Sequence, residues 1–116
     1  MPAQSLERLQ RKRIGRALRE NVRCERAGHH LDSIFFSIIG KEEQMYLVNA
    51  DLDGGVECSC LDSEHRGDYL LCKHICWLLL RAGLSPDDLL ELRGIPSRRE
   101  VQLLLRAGPR LCTSHV

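Results

Sequence analysis

The residues best suited to chemistry lie in two short clusters, Cys58-Ser59-Cys60 and Cys72-Lys73-His74, separated by eleven residues. A structural zinc ion takes four tetrahedral nitrogen or sulfur ligands, and three cysteines with one histidine supply them. Each pair is local, so little chain entropy is lost within it, and the metal closes the loop between. The spacing constrains the backbone. Side chains two positions apart in sequence cannot converge from a helix interior, so Cys72 and His74 meet a common ion only at a first helical turn. The helix that follows is therefore expected to begin near Cys72. Cys58 and Cys60 converge only if the chain turns there, and Gly54 and Gly55 just upstream allow a bend.

The motif, read as CSC…CKH, resembles the SWIM zinc-finger family, whose pattern is Cys-x-Cys, a variable loop and Cys-x-His on a ββα scaffold. The stretch CKHICWLLL is similar to the SWIM module that precedes RING fingers in some SWIM–RING ubiquitin ligases. The SWIM resemblance covers roughly residues 31–83, and a weaker likeness to the ligases extends to about residue 107. It implies one structural Zn2+ held by Cys58, Cys60, Cys72 and His74, in a small module that binds protein or DNA and has no catalytic site. No RING follows here. Outside the motif only Cys24, His29, His30, His65, Cys76, Cys112 and His115 remain, too scattered for the further zinc sites of a RING. Ligase activity is not expected.

Several residues compete for roles. Cys76 rivals His74, because Cys72 and Cys76 sit four apart on one helix face. The preferred reading is a small buried hydrophobe. His65, between the pairs, reads as an exposed residue or a spare ligand. Cys24 with His29 and His30 looks like half a metal site without a second half, and Cys112 reads as a free tail thiol. Cys58 and Cys60 lack the helix N-terminal placement that activates redox thiols. A Cys72–His74 nucleophilic dyad has no orienting acid or oxyanion donor. Trp77 reads as core, and Tyr46 or Tyr69 as isolated aromatics able at most to stack on a base.

The elements that must position the motif follow from periodicity. Leu6, Leu9, Ile14, Ala17, Leu18 and Val22 give a thin apolar stripe for a helix from Ser5 to about Val22, with Ser5 as N-cap. Ser33 to Ile39 and Gln44 to Asn49 are β-branched and aromatic segments that predict two strands of an antiparallel hairpin. Asp51 to Gly55 is a turn, and Val56 to Ser59 a short third extended piece. Tyr69 to Leu71 lead into a helix whose stripe is Ile75, Leu78, Leu79 and Ala82, stopped at Gly83. Ser85-Pro86-Asp87-Asp88 starts a short helix ending at Gly94, and Ser97-Arg98-Arg99-Glu100 has the capping-box pattern. Gly108-Pro109 is expected to end that helix, and Arg110 to Val116 to fray. The fold class expected is α+β: a ββα zinc-stabilised module over 31–83, with a basic helical segment over 1–30 and two short helices within 84–116.

Composition narrows the function. The chain has 116 residues, 43% hydrophobic but only 4% aromatic, so its core rests on Leu, Ile and Val, and a staple is expected. No apolar run approaches the ~18–20 residues of a membrane span. Residues 1–26 carry no apolar stretch typical of a secretory signal. The six cysteines are thus expected to be reduced and the protein intracellular, in nucleus or cytoplasm. The net charge of +1 hides a pattern of +5 over residues 1–30, −7 over 31–71 and +3 over 72–116. Arg11, Lys12, Arg13 and Arg16 form the nearest thing to a basic cluster, while the acidic centre repels phosphate chains. Lys73, between two ligands, is placed to offset the −1 charge of a zinc ion with three thiolates. The expected function is a zinc-binding interaction module for a protein partner, in a ubiquitin-pathway or chromatin assembly. DNA or RNA binding through the basic helix is the alternative, and a fragment of a ubiquitin ligase a second. No enzyme activity, membrane contact or small-molecule substrate is expected.

Overall fold

The computed structural model describes residues 3–60, 71–92 and 96–112. It begins with α1 (Ala3–Arg19), already helical ahead of Ser5. The stripe that α1 buries keeps Ile14 and Ala17 of the predicted apolar one and adds two polar residues. Gln10, Arg13, Ile14 and Ala17 face the core at the i, i+3, i+4, i+7 spacing, while Leu18 is 63% exposed. Arg13 is buried and donates from Nη1 to the Leu9 carbonyl at 3.1 Å. The basic cluster read in the sequence is therefore split, with Arg11, Lys12 and Arg16 facing solvent.

Four strands follow: β1 (Arg23–His30), β2 (Ser33–Ile39), β3 (Met45–Asp51) and β4 (Gly55–Cys58). They pair antiparallel in the order β1-β2-β3-β4. The predicted hairpin and third piece are thus β2 to β4. The strand β1 is a correction to the helical segment expected over 1–30, since residues 23–30 join the sheet edge. Its sequence, RCERAGHH, has no β-branched residue, and it becomes a strand because β2 offers it a ladder. The ladder slips between Cys24 and Arg26, a bulge at Glu25.

Register then sorts the faces. Ile34, Phe36 and Ile38 of β2 and Val48 and Ala50 of β3 are buried on the inner face, with Cys24 and Cys58 beside them. The outer face carries Arg26, Phe35, Met45 and Leu47. Phe35 lies across Gly28, where any Cβ would overlap its ring.

Three more helices follow; the first and third pack on the sheet, and α1 and the second pack against the first. Residue Cys72 caps α2 (Lys73–Arg81), and Gly83 takes φ +117° just past its end. The start near Cys72 agrees with the ligand-spacing argument; Tyr69 and Leu70 lie outside the described residues. Pro86 opens α3 (Pro86–Leu92), and Ser85 and Asp88 exchange hydrogen bonds at 2.8 and 3.1 Å across its first turn. The capping box at Ser97 and Glu100 starts α4 (Arg98–Ala107). Beyond Gly108 the chain does not fray at once: residues Gly108–Cys112 form a 3-10 turn that buries Leu111 against the core. That turn lies along β1, and Cys112 is joined there to Cys24 in a disulfide. Cys112 is not the free tail thiol expected. Among the described residues no helix is long and apolar enough to cross a membrane.

Candidate metal centre

The turn that brings Cys58 and Cys60 together is made by Ser59. Strand β4 ends at Cys58, and Ser59 then replaces the ladder: its N–H donates to the Leu47 carbonyl at 3.0 Å, and its Oγ accepts from the Leu47 N–H at 2.9 Å. With a hydroxyl standing in for the next carbonyl, the backbone leaves the strand and Cys60 swings to the side of Cys58. Gly55, at φ +81°, serves the β3–β4 turn instead, where Asp51 Oδ1 accepts from the Asp53 and Gly54 N–H groups at 2.8 and 3.1 Å.

The second pair is set by α1. Gln10 clamps the backbone of Leu71 at two points: its Nε2 donates to the Leu71 carbonyl at 3.0 Å and its Oε1 accepts from the Leu71 N–H at 2.8 Å. The residue before the first ligand of the pair is thereby fixed, and α2 begins directly after it. A glutamine on a core-facing stripe is the only signal for this contact in the sequence, and a reading that selects apolar residues passes over it.

Cys58, Cys60, Cys72 and His74 meet with their donor atoms within 4.8 Å of one another, and all four are buried. His74 Nδ1 lies 3.7 Å from Cys58 Sγ and 4.0 Å from Cys72 Sγ. A tetrahedral zinc site with ordinary Zn–S and Zn–N bonds spaces its ligand atoms about 3.5–3.8 Å apart. The cluster needs only a small contraction to reach that spacing, and Nδ1 is the histidine nitrogen that faces the sulfurs. Residues 46–83 match the family model of the SWIM zinc finger. The chain carries a SWIM zinc finger. No curated protein and no solved structure matches the chain. The matched segment spans β3, β4 and α2; the first two strands, α1 and the last two helices lie outside it.

The SWIM site is held in an environment that opposes free thiolates. The Cys58 thiol is pushed up, first by its hydrogen bonds with the Cys60 and Cys72 thiols and then by burial. The Cys72 thiol rises to about 11: contact with Cys58 pulls it down, and contact with Cys60 and burial outweigh that pull. Three negative sulfurs in this pocket need a cation, and a zinc ion would supply the charge that keeps them ionised.

The remaining candidates find other partners. Cys76 is fully buried on α2, and its Sγ accepts from Gln10 Nε2 at 3.5 Å; it stands outside the four-residue cluster. His29 Nε2 lies 3.2 Å from the Leu105 carbonyl, and Cys24 is held by Cys112, so the half-site on β1 gathers no ligands. Among the described residues there is no second cluster able to hold a metal. His65, Tyr69 and His115 lie outside the described residues. Trp77 packs partly against the core with Arg81 4.9 Å over its ring. Lys73 does not turn to the thiolates; it pairs with Glu20 of the α1–β1 connection, which also accepts from Arg16 Nε at 2.8 Å. Tyr46 has a role that composition did not signal. Its ring stacks on His74 with centroids 4.4 Å apart and fixes the plane of the imidazole.

Proposed function

We propose that the chain is a non-catalytic interaction module, stapled by zinc, that docks a protein partner on the outer face of its sheet. The observation that carries this reading is the apolar character of that face. Met45 and Leu47 are 56% and 48% exposed, and they continue diagonally to Phe35, over which Arg26 stands at 6.0 Å. Every described helix lies on the opposite face. A contiguous exposed patch rimmed by charge is the usual mark of a protein contact. The ubiquitin-pathway or chromatin setting rests on the resemblance of the motif alone.

A second reading has one observation in its favour. Arg8, Lys12, Arg16 and Arg19 are all exposed and spaced four, four and three apart on α1, a basic line that suits a phosphate backbone. One experiment separates the two. The zinc-loaded chain and its Leu47→Glu variant are used to capture partners from their source cells at low and high salt. The docking reading expects a protein retained at high salt by the native chain and lost by the variant. Capture of nucleic acid that vanishes with salt and ignores Leu47→Glu assigns the function to α1 instead. In a ubiquitin discharge assay no activity is expected.

A further inference from the structure

The outer face of the sheet carries charge as well as its apolar patch, and the charge is ordered. Register sets Arg26 of β1, Ser37 of β2, Leu47 of β3 and Ser59 in one row across the strands. Gly28, Phe35, Asn49 and Glu57 make the next row. The middle strands therefore present Phe35, Met45 and Leu47, while β1 presents a cation at one edge and β4 an anion at the other. Arg26 and Glu57 are both exposed, and among the described residues neither is in an ion pair. Arg23, the other cation of β1, is already held by Glu43 at 2.9 Å.

Such a face is complementary to itself. A two-fold axis lying between two facing sheets and running along the strands sets β1 of one copy opposite β4 of the other, and β2 opposite β3. Arg26 then meets the second copy's Glu57, and Glu57 meets its Arg26, around a shared apolar centre. The pair is offset by one row, about 7 Å along the strand. An arginine side chain spans that offset, helped by the crossing of about 30° between aligned sheets. The other axis, across the strands, would lay β1 on β1 and set Arg26 against itself, which like charge opposes.

We propose that this face pairs with a second copy of the chain, forming an isologous dimer. The inference rests on the docking-face reading above and names its occupant. The face spans four strands about 4.8 Å apart and the seven residues of β2 at about 3.3 Å each, roughly 400 Å² in plan. That is the small end of the interface range, so a dissociation constant of about 10–100 μM is expected.

The test is sedimentation equilibrium of the full zinc-loaded chain from about 1 μM to about 1 mM, a range that brackets that constant. The mass should rise from 13.2 kDa toward twice that value. Leu47→Glu, Arg26→Glu and Glu57→Arg should each keep zinc and weaken association about tenfold or more. Mixing Arg26→Glu with Glu57→Arg restores attraction at both edges, so the mixed dimer should return to within about threefold of the native affinity. A chain that stays monomeric throughout overturns the dimer, while the docking face is still judged separately by the Leu47→Glu capture. Association unchanged in Leu47→Glu or Arg26→Glu with zinc retained also overturns it, as does a mixture that associates no better than its components. Should Leu47→Glu lose zinc, the charge-exchange mixture carries the test alone.

Discussion

His74 shows how much one side chain is asked to do. Its Nδ1 faces the sulfurs, its ring is held by Tyr46, and its 2% exposure leaves no alternative rotamer in solvent. Replacing His74 or Cys72 by Ala is expected to abolish stoichiometric zinc in the purified protein. Cys76→Ala should keep a full equivalent and lose only about 1–2 kcal/mol of packing; zinc lost with Cys76 but kept without His74 would reverse the assignment. Glu20 gives a prediction in pH. Burial pushes its carboxyl up, but hydrogen bonds and charge from Arg16 and Lys73 more than reverse this and hold it at about 2. Its folded value is below its unfolded one, so its contribution is complete above about pH 4.5 and is lost as pH falls toward 2. Glu20→Gln should cost about 1 kcal/mol at neutral pH, after allowance for solvent screening. The gap to the native protein, read by denaturant titration at each pH, should close in acid. The meeting of Cys58, Cys60, Cys72 and His74 was legible in sequence because metal chemistry restricts both residue type and spacing. Tyr46 and Gln10 were not, because what they contact lies 28 and 61 residues away.

At the scale of elements, the helices with explicit end signals were the legible ones. Ser85-Pro86 and Ser97…Glu100 start α3 and α4 as their capping chemistry requires. Ser97→Ala should cost about 1 kcal/mol in a thermal or urea melt, and an unchanged midpoint would mean the box is not holding α4. β1 was illegible because nothing in RCERAGHH favours a strand locally; β2 and the 3-10 turn impose it. α1 was found with most of its stripe, but polarity and burial part company at Gln10 and Arg13, which are buried, and at Leu18, which is exposed. The β1–β2 turn holds a locally unfavourable residue as well: Leu31 is 87% exposed at φ +53°. A left-handed leucine costs roughly 1–2 kcal/mol, so Leu31→Gly should raise stability by about 1 kcal/mol, read as a higher denaturation midpoint.

At the scale of the molecule, one buried cluster joins α1, the inner sheet face, α2, α3 and α4, and Cys58, Cys60 and Cys72 of the candidate metal centre are part of it. Removing zinc is therefore expected to do more than release a loop. Chelation should broaden the melt and lower the helical circular dichroism of α1 together with that of α2, because Leu71 links them through Gln10. A sharp, unshifted melt after complete metal removal would contradict this. The α+β class was readable from hydrophobic period, whereas the extra strand and the way the C-terminal turn closes on it were set by long-range packing.

The sheet order has a consequence for how the protein is made. Each strand pairs only with its neighbour in sequence, so the meander can assemble hairpin by hairpin as the chain leaves the ribosome. Cys58 and Cys60 can then come together before Cys72 and His74, which leave the ribosome later, have docked. Metal capture is then the step that ties the second half of the chain to the hairpins, and refolding from denaturant is expected to be faster with zinc present than with a chelator.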